Sequence, residues 1–344
     1  MSRLINEITA DDLGDIESVV AAQQPLLIRG FVTHWPAVKA SVLGFDSAAT
    51  YLSSQYSGRP LTAYVGKHDI DGRFFYNDDF SDFNFRRGQA TLPQVLHKLA
   101  SSRSDKSAPT VYVGSTMIDE WFPRFNRDNE APIRREELLA SIWIGNRSRV
   151  SAHYDFPDNI ACVVAGERTF TLFPPEQVKN LYVGPLDVTP SGQEISVVDV
   201  KSPDLARFPN YQEAEAEALV AHLQPGDAIF IPSMWWHHVE ASSDLNVLVN
   251  YWWCESPSYL GTPSLALKHA LLAIRDLPAH QKAHWKRLFD HYVFEDQTGK
   301  HDHIPEAGRG ILDRLDEQSA NQLKQFIGER LMASLPDREQ GKKK

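Results

Sequence analysis

The chain has 344 residues, a formal net charge of -10 and 42% hydrophobic residues. This length and composition favour one large folded domain, or one domain with an appendage, and they exclude an intrinsically disordered protein. The negative charge argues against a nucleic-acid partner, because a polyphosphate backbone needs a basic surface. Cys162 and Cys254 lie too far apart for a zinc-finger spacing and do not suggest a disulfide framework.

The N-terminal residues lack the basic region and apolar stretch of a signal peptide. No window of the sequence approaches the roughly 18 apolar residues that a membrane span needs. We therefore expect a cytoplasmic protein with no membrane partner.

Residues 1–255 have the pattern of a mainly β domain. Helices are predicted at 11–22 and at 92–102. Elsewhere, short apolar runs rich in β-branched and aromatic residues alternate with turns; the clearest runs are 25–30, 110–114, 160–164, 168–173, 228–231 and 246–251. Many short strands separated by turns are typical of a sandwich or jelly roll.

The pattern changes at residues 256–344, where apolar residues recur at helical spacing. One such set follows Pro263 and another lies near the C-terminus; together they are Leu267, Leu271, Ile274, Leu323, Phe326, Ile327 and Leu331. Segment 279–294 also has helical character. We therefore expect a helical C-terminal region whose apolar faces cover either the barrel or a second copy of the chain.

The segment 151–159, SAHYDFPDN, carries the strongest local motif. His153 and Asp155 are two residues apart, so on an extended backbone both side chains point to one side. An imidazole and a carboxylate together suit a divalent ion such as iron(II). A hydrogen-bonded pair at a strand end is the alternative interpretation of this motif alone.

A second segment, 226–239, supplies the further histidine that a facial triad needs. It contains a Gly-Asp turn, an apolar run and a Pro-containing bend before His237 and His238. These adjacent side chains should point to opposite sides of a strand, so only one can be a ligand, and the pattern does not choose between them. The His-Asp-His sequence at 301–303 is a similar match, but its surroundings indicate a surface loop.

In this combination and order, the segments resemble the JmjC-type cupin-like oxygenases, the family that includes the asparaginyl hydroxylase that inhibits hypoxia-inducible factor. The resemblance covers roughly residues 20–255 and includes the early segment 25–36, PLLIRGFVTHWP. It implies a double-stranded β-helix of the jelly-roll or cupin type, with N-terminal helices and a C-terminal helical appendage. It also implies Fe(II), 2-oxoglutarate and O2 as cofactor and co-substrates, and it selects His237 as the third ligand beside His153 and Asp155.

The resemblance also implies a set of 2-oxoglutarate contacts. The family binds the distal carboxylate with a basic residue, usually lysine, and with a tyrosine; the matching residues are Arg168 and Tyr112. Asn159 and Asn250 match asparagines that line the family pocket. Ser151 is the candidate for a hydroxyl contact, although the segment before the His-Tyr-Asp motif is one residue shorter than the family pattern.

Arg168 shares strand parity with Phe170 and Leu172, so it faces the interior if those residues do. A surface arginine is the alternative interpretation. Four tryptophans, Trp235, Trp236, Trp252 and Trp253, are expected around the site, and Trp236 and Trp252 are candidates for the wall of a substrate pocket. Filling of the barrel interior is the alternative interpretation of these side chains.

From the resemblance we expect an oxygenase that hydroxylates a protein, a peptide or a small molecule and that forms a homodimer through its C-terminal helices. Two alternatives remain open. One is a metallo-cupin dioxygenase that does not use 2-oxoglutarate, and the other is a non-catalytic metal-binding or sensor module.

Overall fold

A computed structural model describes residues 3–103, 105, 107–135, 137–190 and 192–335. The chain divides into two compact units, Met1–Cys254 and Glu255–Lys344. The strands are β1 (Arg3–Leu4), β2 (Glu7–Thr9), β3 (Leu26–Arg29), β4 (Leu61–Gly66), β5 (Arg73–Phe74), β6 (Phe85–Ala90), β7 (Thr110–Met117), β8 (Leu139–Gly145), β9 (Ser148–His153), β10 (Asp158–Ala165), β11 (Arg168–Phe173), β12 (Leu219–Leu223), β13 (Ala228–Ile231), β14 (Trp236–Ala241) and β15 (Asn246–Trp253).

Helices flank the strands in the first unit and make up the second. The first unit contains α1 (Ile16–Ala21), α2 (Pro36–Val42), α3 (Phe45–Gln55), α4 (Leu92–Ser101), α5 (Ile118–Trp121), α6 (Phe125–Asp128) and α7 (Tyr211–Glu217). The second contains α8 (Pro263–Ala273), α9 (Ala279–Phe289), α10 (Glu306–Arg309) and α11 (Glu317–Ala333). In the described part of the chain, no helix combines the length and the apolar character needed to cross a bilayer.

Two sheets form the body of the first unit. One has the strand order β1-β12-β11-β14-β9-β5, and the other has the order β2-β3-β13-β10-β15-β8-β7-β4-β6. Strands β8–β15 divide equally between the two sheets and pair with antiparallel neighbours. This arrangement is the jelly roll, so the fold class predicted from the sequence is confirmed.

Three apolar clusters show how the sequence builds these layers. The first lies between the sheets, where Ala161 of β10 packs in the same cluster as Phe170 of β11. The second, which includes Ile160, lies on the other face of the larger sheet beneath the N-terminal helices. The third contains Trp236 and lies with α7 on the outer face of the smaller sheet. Neighbouring residues thus face different clusters, as the two-residue period of a strand requires.

The helix predicted at 11–22 is interrupted. A short 3-10 turn covers Ala10–Asp12, and α1 begins only at Ile16. Asp15 has an extended backbone, and its side chain accepts a hydrogen bond from the Ser18 amide, so it acts as a helix N-cap. The prediction was wrong at residues 13–15, because the N-cap residue Asp15 begins a separate helix inside the predicted range. The helix predicted at 92–102 is present as α4.

In the second unit, a single π-helical turn, Asp290–Phe294, extends α9. Helix α11 begins with a capping box in which Asp316 and Ser319 bond each other's backbone amide. Many large apolar side chains of the unit are exposed, among them Leu272, Phe294, Phe326 and Met332.

Candidate metal centre and cavity

The two metal motifs meet at one end of the smaller sheet. His153 is the last residue of β9, and His237 is the second residue of β14. The two residues are paired directly across these antiparallel strands, and Asp155 follows two positions after His153. One ligand atom from each residue lies within 4.8 Å of the others. Among the described residues, this is the one group of three or more such side chains that could hold a metal ion.

Hydrogen bonds fix the tautomer of both histidines. Nδ1 of His153 lies 2.9 Å from the Ser151 carbonyl oxygen, and Nδ1 of His237 lies 3.0 Å from the Trp235 carbonyl oxygen. A carbonyl can only accept, so each Nδ1 carries a proton, and in the neutral ring Nε2 then keeps its lone pair for a metal. Burial, together with the nearby His153, lowers the pKa of His237 and keeps this imidazole neutral. Two imidazoles and one carboxylate are a ligand set that fits iron(II).

His238 faces away from this group. It is buried, and its Nε2 lies 3.4 Å from Oε1 of Glu240 on the same strand. The alternation of a strand turns it to the side opposite His237. Of the two adjacent histidines, His237 therefore lies in the group with His153 and Asp155, and His238 does not. His301 and His303 lie in the second unit and form no comparable metal-ligand group with other described residues.

A hydrogen-bond network lies behind the Asp155 carboxylate. Oδ2 of Asp155 accepts bonds from Nε1 of Trp252 at 3.0 Å and from Nδ2 of Asn159 at 3.3 Å. The Oδ1 atom of Asn159 in turn accepts a bond of 2.7 Å from Nδ2 of Asn250. Two residues that the resemblance assigned to 2-oxoglutarate thus also connect to a metal ligand.

The three ligand residues lie in the wall of a cavity of about 190 Å³. The cavity is also lined by each of the residues that the resemblance assigned to 2-oxoglutarate, namely Tyr112, Ser151, Asn159, Arg168 and Asn250. Oγ of Ser151 is buried and has no hydrogen-bond partner among the described residues. A ligand in the cavity could satisfy this hydroxyl.

Arg168 is a buried cation that forms no ion pair with any other described residue. Its side chain is 3% exposed, and its Nε has no hydrogen-bond partner in the described structure. Phe170 and Leu172 lie in the cluster between the sheets, so the parity argument that placed Arg168 inside was correct. Burial lowers the pKa of Arg168, and the nearby Tyr112 opposes that effect. A buried charge is expensive unless it is paired, so an anionic ligand fits this position.

The two tryptophans predicted for the pocket differ in location. Trp252 lines the cavity. Trp236 does not, and its prediction was wrong. It precedes His237 on β14 and therefore points to the outer face of the sheet, where it packs edge-on against Tyr154 with ring centroids 4.9 Å apart.

Part of the cavity wall comes from segments that carried no motif. Tyr64, Phe74 and Phe85 line it from one side, and Gln193 and Ile195 line it from the segment between β11 and β12. The one sequence signal for the first set was the density of aromatic residues at 74–85, where six of twelve residues are Phe or Tyr.

Comparison with known proteins agrees with this architecture. The family model described as "Cupin-like domain" matches residues 14–259. A "Lysine-specific demethylase JMJ31" of Arabidopsis thaliana is 29% identical over 280 residues, which is 72% of this chain and 49% of that protein. A "HSPB1-associated protein 1" of Homo sapiens is 34% identical over 69% of this chain and 49% of its own length.

A shorter match is found with a "tRNA wybutosine-synthesizing protein 5" of Mus musculus, which is 32% identical over 41% of this chain and 43% of that protein. The chain spans about half the length of the curated relatives it matches. Enzymes of the JmjC group use Fe(II), 2-oxoglutarate and O2. On the extent of the family match and the position of its ligand residues, the chain belongs to the JmjC-type family of cupin-like proteins.

Proposed function

We propose that this chain is an Fe(II)- and 2-oxoglutarate-dependent oxygenase that hydroxylates a protein, a peptide or a small molecule. The observation that carries the proposal is the pairing of two features in one cavity: the His153, Asp155 and His237 group, and the unpartnered buried cation of Arg168. A purely metal-binding module would need the first feature but would have no use for the second.

Each residue has a separate task in this proposal. The imidazoles and the carboxylate bind the metal through three positions, which leaves the remaining positions for co-substrates. Arg168 binds the distal carboxylate of 2-oxoglutarate with its guanidinium, and the buried Ser151 hydroxyl offers a further hydrogen bond. When bound, iron(II) and 2-oxoglutarate supply the activation of O2 for attack on a C–H bond.

The apolar wall has a protective task. Tyr64, Phe74 and Phe85 contact one another edge-to-face and line the cavity, so they exclude water from the reacting centre. Tyr76 donates a hydrogen bond of 2.8 Å to the Val188 carbonyl and so joins the aromatic-rich segment 74–85 to the segment that carries Gln193.

Anaerobic titration of the metal-free protein tests the proposal. Addition of iron(II) and 2-oxoglutarate together should produce a visible metal-to-ligand charge-transfer band, whereas neither should do so alone. Admission of O2 should then convert 2-oxoglutarate to succinate. A band that needs no 2-oxoglutarate, or turnover without succinate, would favour a metallo-cupin dioxygenase that uses another co-substrate. Absence of metal binding would contradict the proposal altogether.

The class of product needs a second measurement. Two of the relatives are named lysine-specific demethylases. Hydroxylation of an N-methyl carbon ends in release of formaldehyde, whereas hydroxylation of a carbon-bonded carbon leaves a stable hydroxyl group. We expect the second outcome, a product heavier by one oxygen in mass spectra. Formaldehyde formed in proportion to succinate would indicate demethylation instead.

A further inference from the structure

The metal ligand Asp155 and the cavity residue Trp252 are joined by a hydrogen bond. Nε1 of Trp252 lies 3.0 Å from Oδ2 of Asp155, and the Asp155 side chain is 12% exposed. We propose that Trp252 is a positioning residue for the metal centre. Its indole N–H holds the carboxylate in the orientation that binds the ion. This inference rests on the proposed function, because it concerns the same metal site.

The strand register places the donor. Trp252 of β15 is paired directly with Asn159 of β10, and Asn250 lies two residues earlier on the same face. Asn250 donates to Asn159, and Asn159 donates to Asp155. Two donors therefore reach one carboxylate oxygen from a single pair of strands. Rigid strands hold such groups more precisely than a loop does, and Asp155 itself follows the end of β9.

The number of hydrogen bonds that a carboxylate can accept affects how it binds a metal. The group offers about four lone-pair sites, and each N–H donor that occupies one of them fixes the plane of the carboxylate. A fixed carboxylate with occupied lone pairs favours binding to the ion through one oxygen. Asp155 would then supply one ligand atom beside one from each of His153 and His237, which would leave room for co-substrates. Loss of such an outer hydrogen bond typically weakens metal binding by about 10- to 100-fold.

Two other tryptophans provide a matched comparison. Trp143 lines the same cavity, with its ring centroid 6.0 Å from that of Trp252, and Trp253 is the next residue along β15. In both, Nε1 is buried and has no hydrogen-bond partner among the described residues. Replacing either by phenylalanine removes an indole but breaks no hydrogen bond. The difference in metal affinity between either of these variants and Trp252→Phe therefore reports the effect of the hydrogen bond to Asp155.

Calorimetric titration of the metal-free full chain with Mn(II), an oxygen-stable probe, tests the inference. We expect Trp252→Phe to weaken Mn(II) binding by about 10- to 100-fold. Trp143→Phe should bind within about twofold of the wild type. Thermal unfolding of each metal-free variant shows whether it is folded. If Trp252→Phe does not fold, Trp252→Leu, whose side chain also has no hydrogen-bond donor, takes its place.

The outcomes separate the two proposals. Wild-type affinity in a folded Trp252 variant, or equal losses in the Trp252 and Trp143 variants, would overturn the positioning role and leave the metal site intact. Failure of the wild-type chain to bind Mn(II) would contradict the proposed function. A second readout is the visible spectrum of the Co(II)-loaded protein, which should change in Trp252→Phe because the ligand field changes, and should not change in Trp143→Phe.

Discussion

His153 and His237 are direct cross-strand neighbours, and each ring is oriented by a hydrogen bond from Nδ1 to a backbone carbonyl. Each Nδ1 donates to the carbonyl oxygen two residues earlier in the chain, at 2.9 and 3.0 Å. The ring centroids lie 4.2 Å apart. Because these bonds are local, they fix the orientation of both imidazole rings in the absence of a metal ion.

The ligand assignment predicts a specific pattern of loss. Alanine at His153, Asp155 or His237 should abolish binding of iron(II), because two remaining ligands hold the ion too weakly. His238→Ala should retain binding, because this side chain faces Glu240 on the other side of the strand. Metal content after anaerobic loading measures both results. Retention in His237→Ala together with loss in His238→Ala would show that the choice of ligand is wrong.

Arg168 should strengthen the binding of 2-oxoglutarate but lower the stability of the metal-free protein. Arg168→Met removes a buried guanidinium that has no counterion in the described part of the chain, so the metal-free protein should become more stable by about 1–3 kcal/mol. The same variant should weaken 2-oxoglutarate binding at least tenfold, since the anion loses its partner.

Arg168→Lys is the matched control, because lysine is the usual residue of the family at this position and it keeps the positive charge. It should retain most of the 2-oxoglutarate affinity. Chemical denaturation and 2-oxoglutarate titration of the metal-loaded protein give the two quantities. Unchanged 2-oxoglutarate affinity in Arg168→Met would move the anion site elsewhere.

The sequence was informative wherever a pattern was local. All six runs identified as strands lie within or largely overlap strands of the structure, because β-branched and aromatic content and flanking turns are properties of neighbouring residues. The interior position of Arg168 also followed from strand parity alone. The ligand histidine was harder, because the bend at Pro232 hides the register that turns His237 inward and His238 outward.

The cavity wall could not be predicted, because its residues become neighbours only through the fold. Gln193 and Ile195 lie about 40 residues after the metal motif, yet Ile195 forms a bridge with His153. Trp236 was misassigned for a related reason: proximity in sequence to His237 places it on the same strand but on the other face. Pairings between distant segments carry no short-range signal.

A homodimer through the C-terminal helices remains a prediction. Helix α11 exposes Phe326, Ile327 and Leu331, and apolar faces of this kind are typical of interfaces. Phe326→Glu combined with Leu331→Glu should convert a dimer to a monomer in sedimentation velocity, with metal binding retained. Asn321→Glu with Gln322→Glu adds the same charge at other positions of the helix and should leave the dimer intact. A wild-type chain that sediments as a monomer would contradict the prediction.

The ion pair between Arg149 and Asp199 should make stability depend on pH. Arg149 lies on β9, the strand that ends at His153, and Asp199 follows the segment that forms the cavity wall. Nη1 of Arg149 contacts both carboxylate oxygens of Asp199, at 2.7 and 3.0 Å. Burial raises the pKa of Asp199, but the hydrogen bonds from Arg149 and the charge of Arg73 outweigh it, so the pKa is lowered overall.

A carboxyl whose pKa is lower in the folded state stabilises the fold above its unfolded pKa of about 3.9, and it loses that contribution as pH falls through the folded value. Asp199→Asn should therefore lower the free energy of unfolding by about 1–3 kcal/mol at pH 7. The difference from the wild type should shrink towards acidic pH. Urea unfolding at several pH values measures it.

Asp244→Asn is the matched control, since its partner Arg147 has a side chain that is 61% exposed. An exposed pair of this kind contributes at most about 1 kcal/mol, so this variant should differ little from the wild type at any pH. A difference between wild type and Asp199→Asn that stays constant from pH 7 to below pH 4 would contradict the argument. The loss would then come from the shape of the side chain and not from its charge.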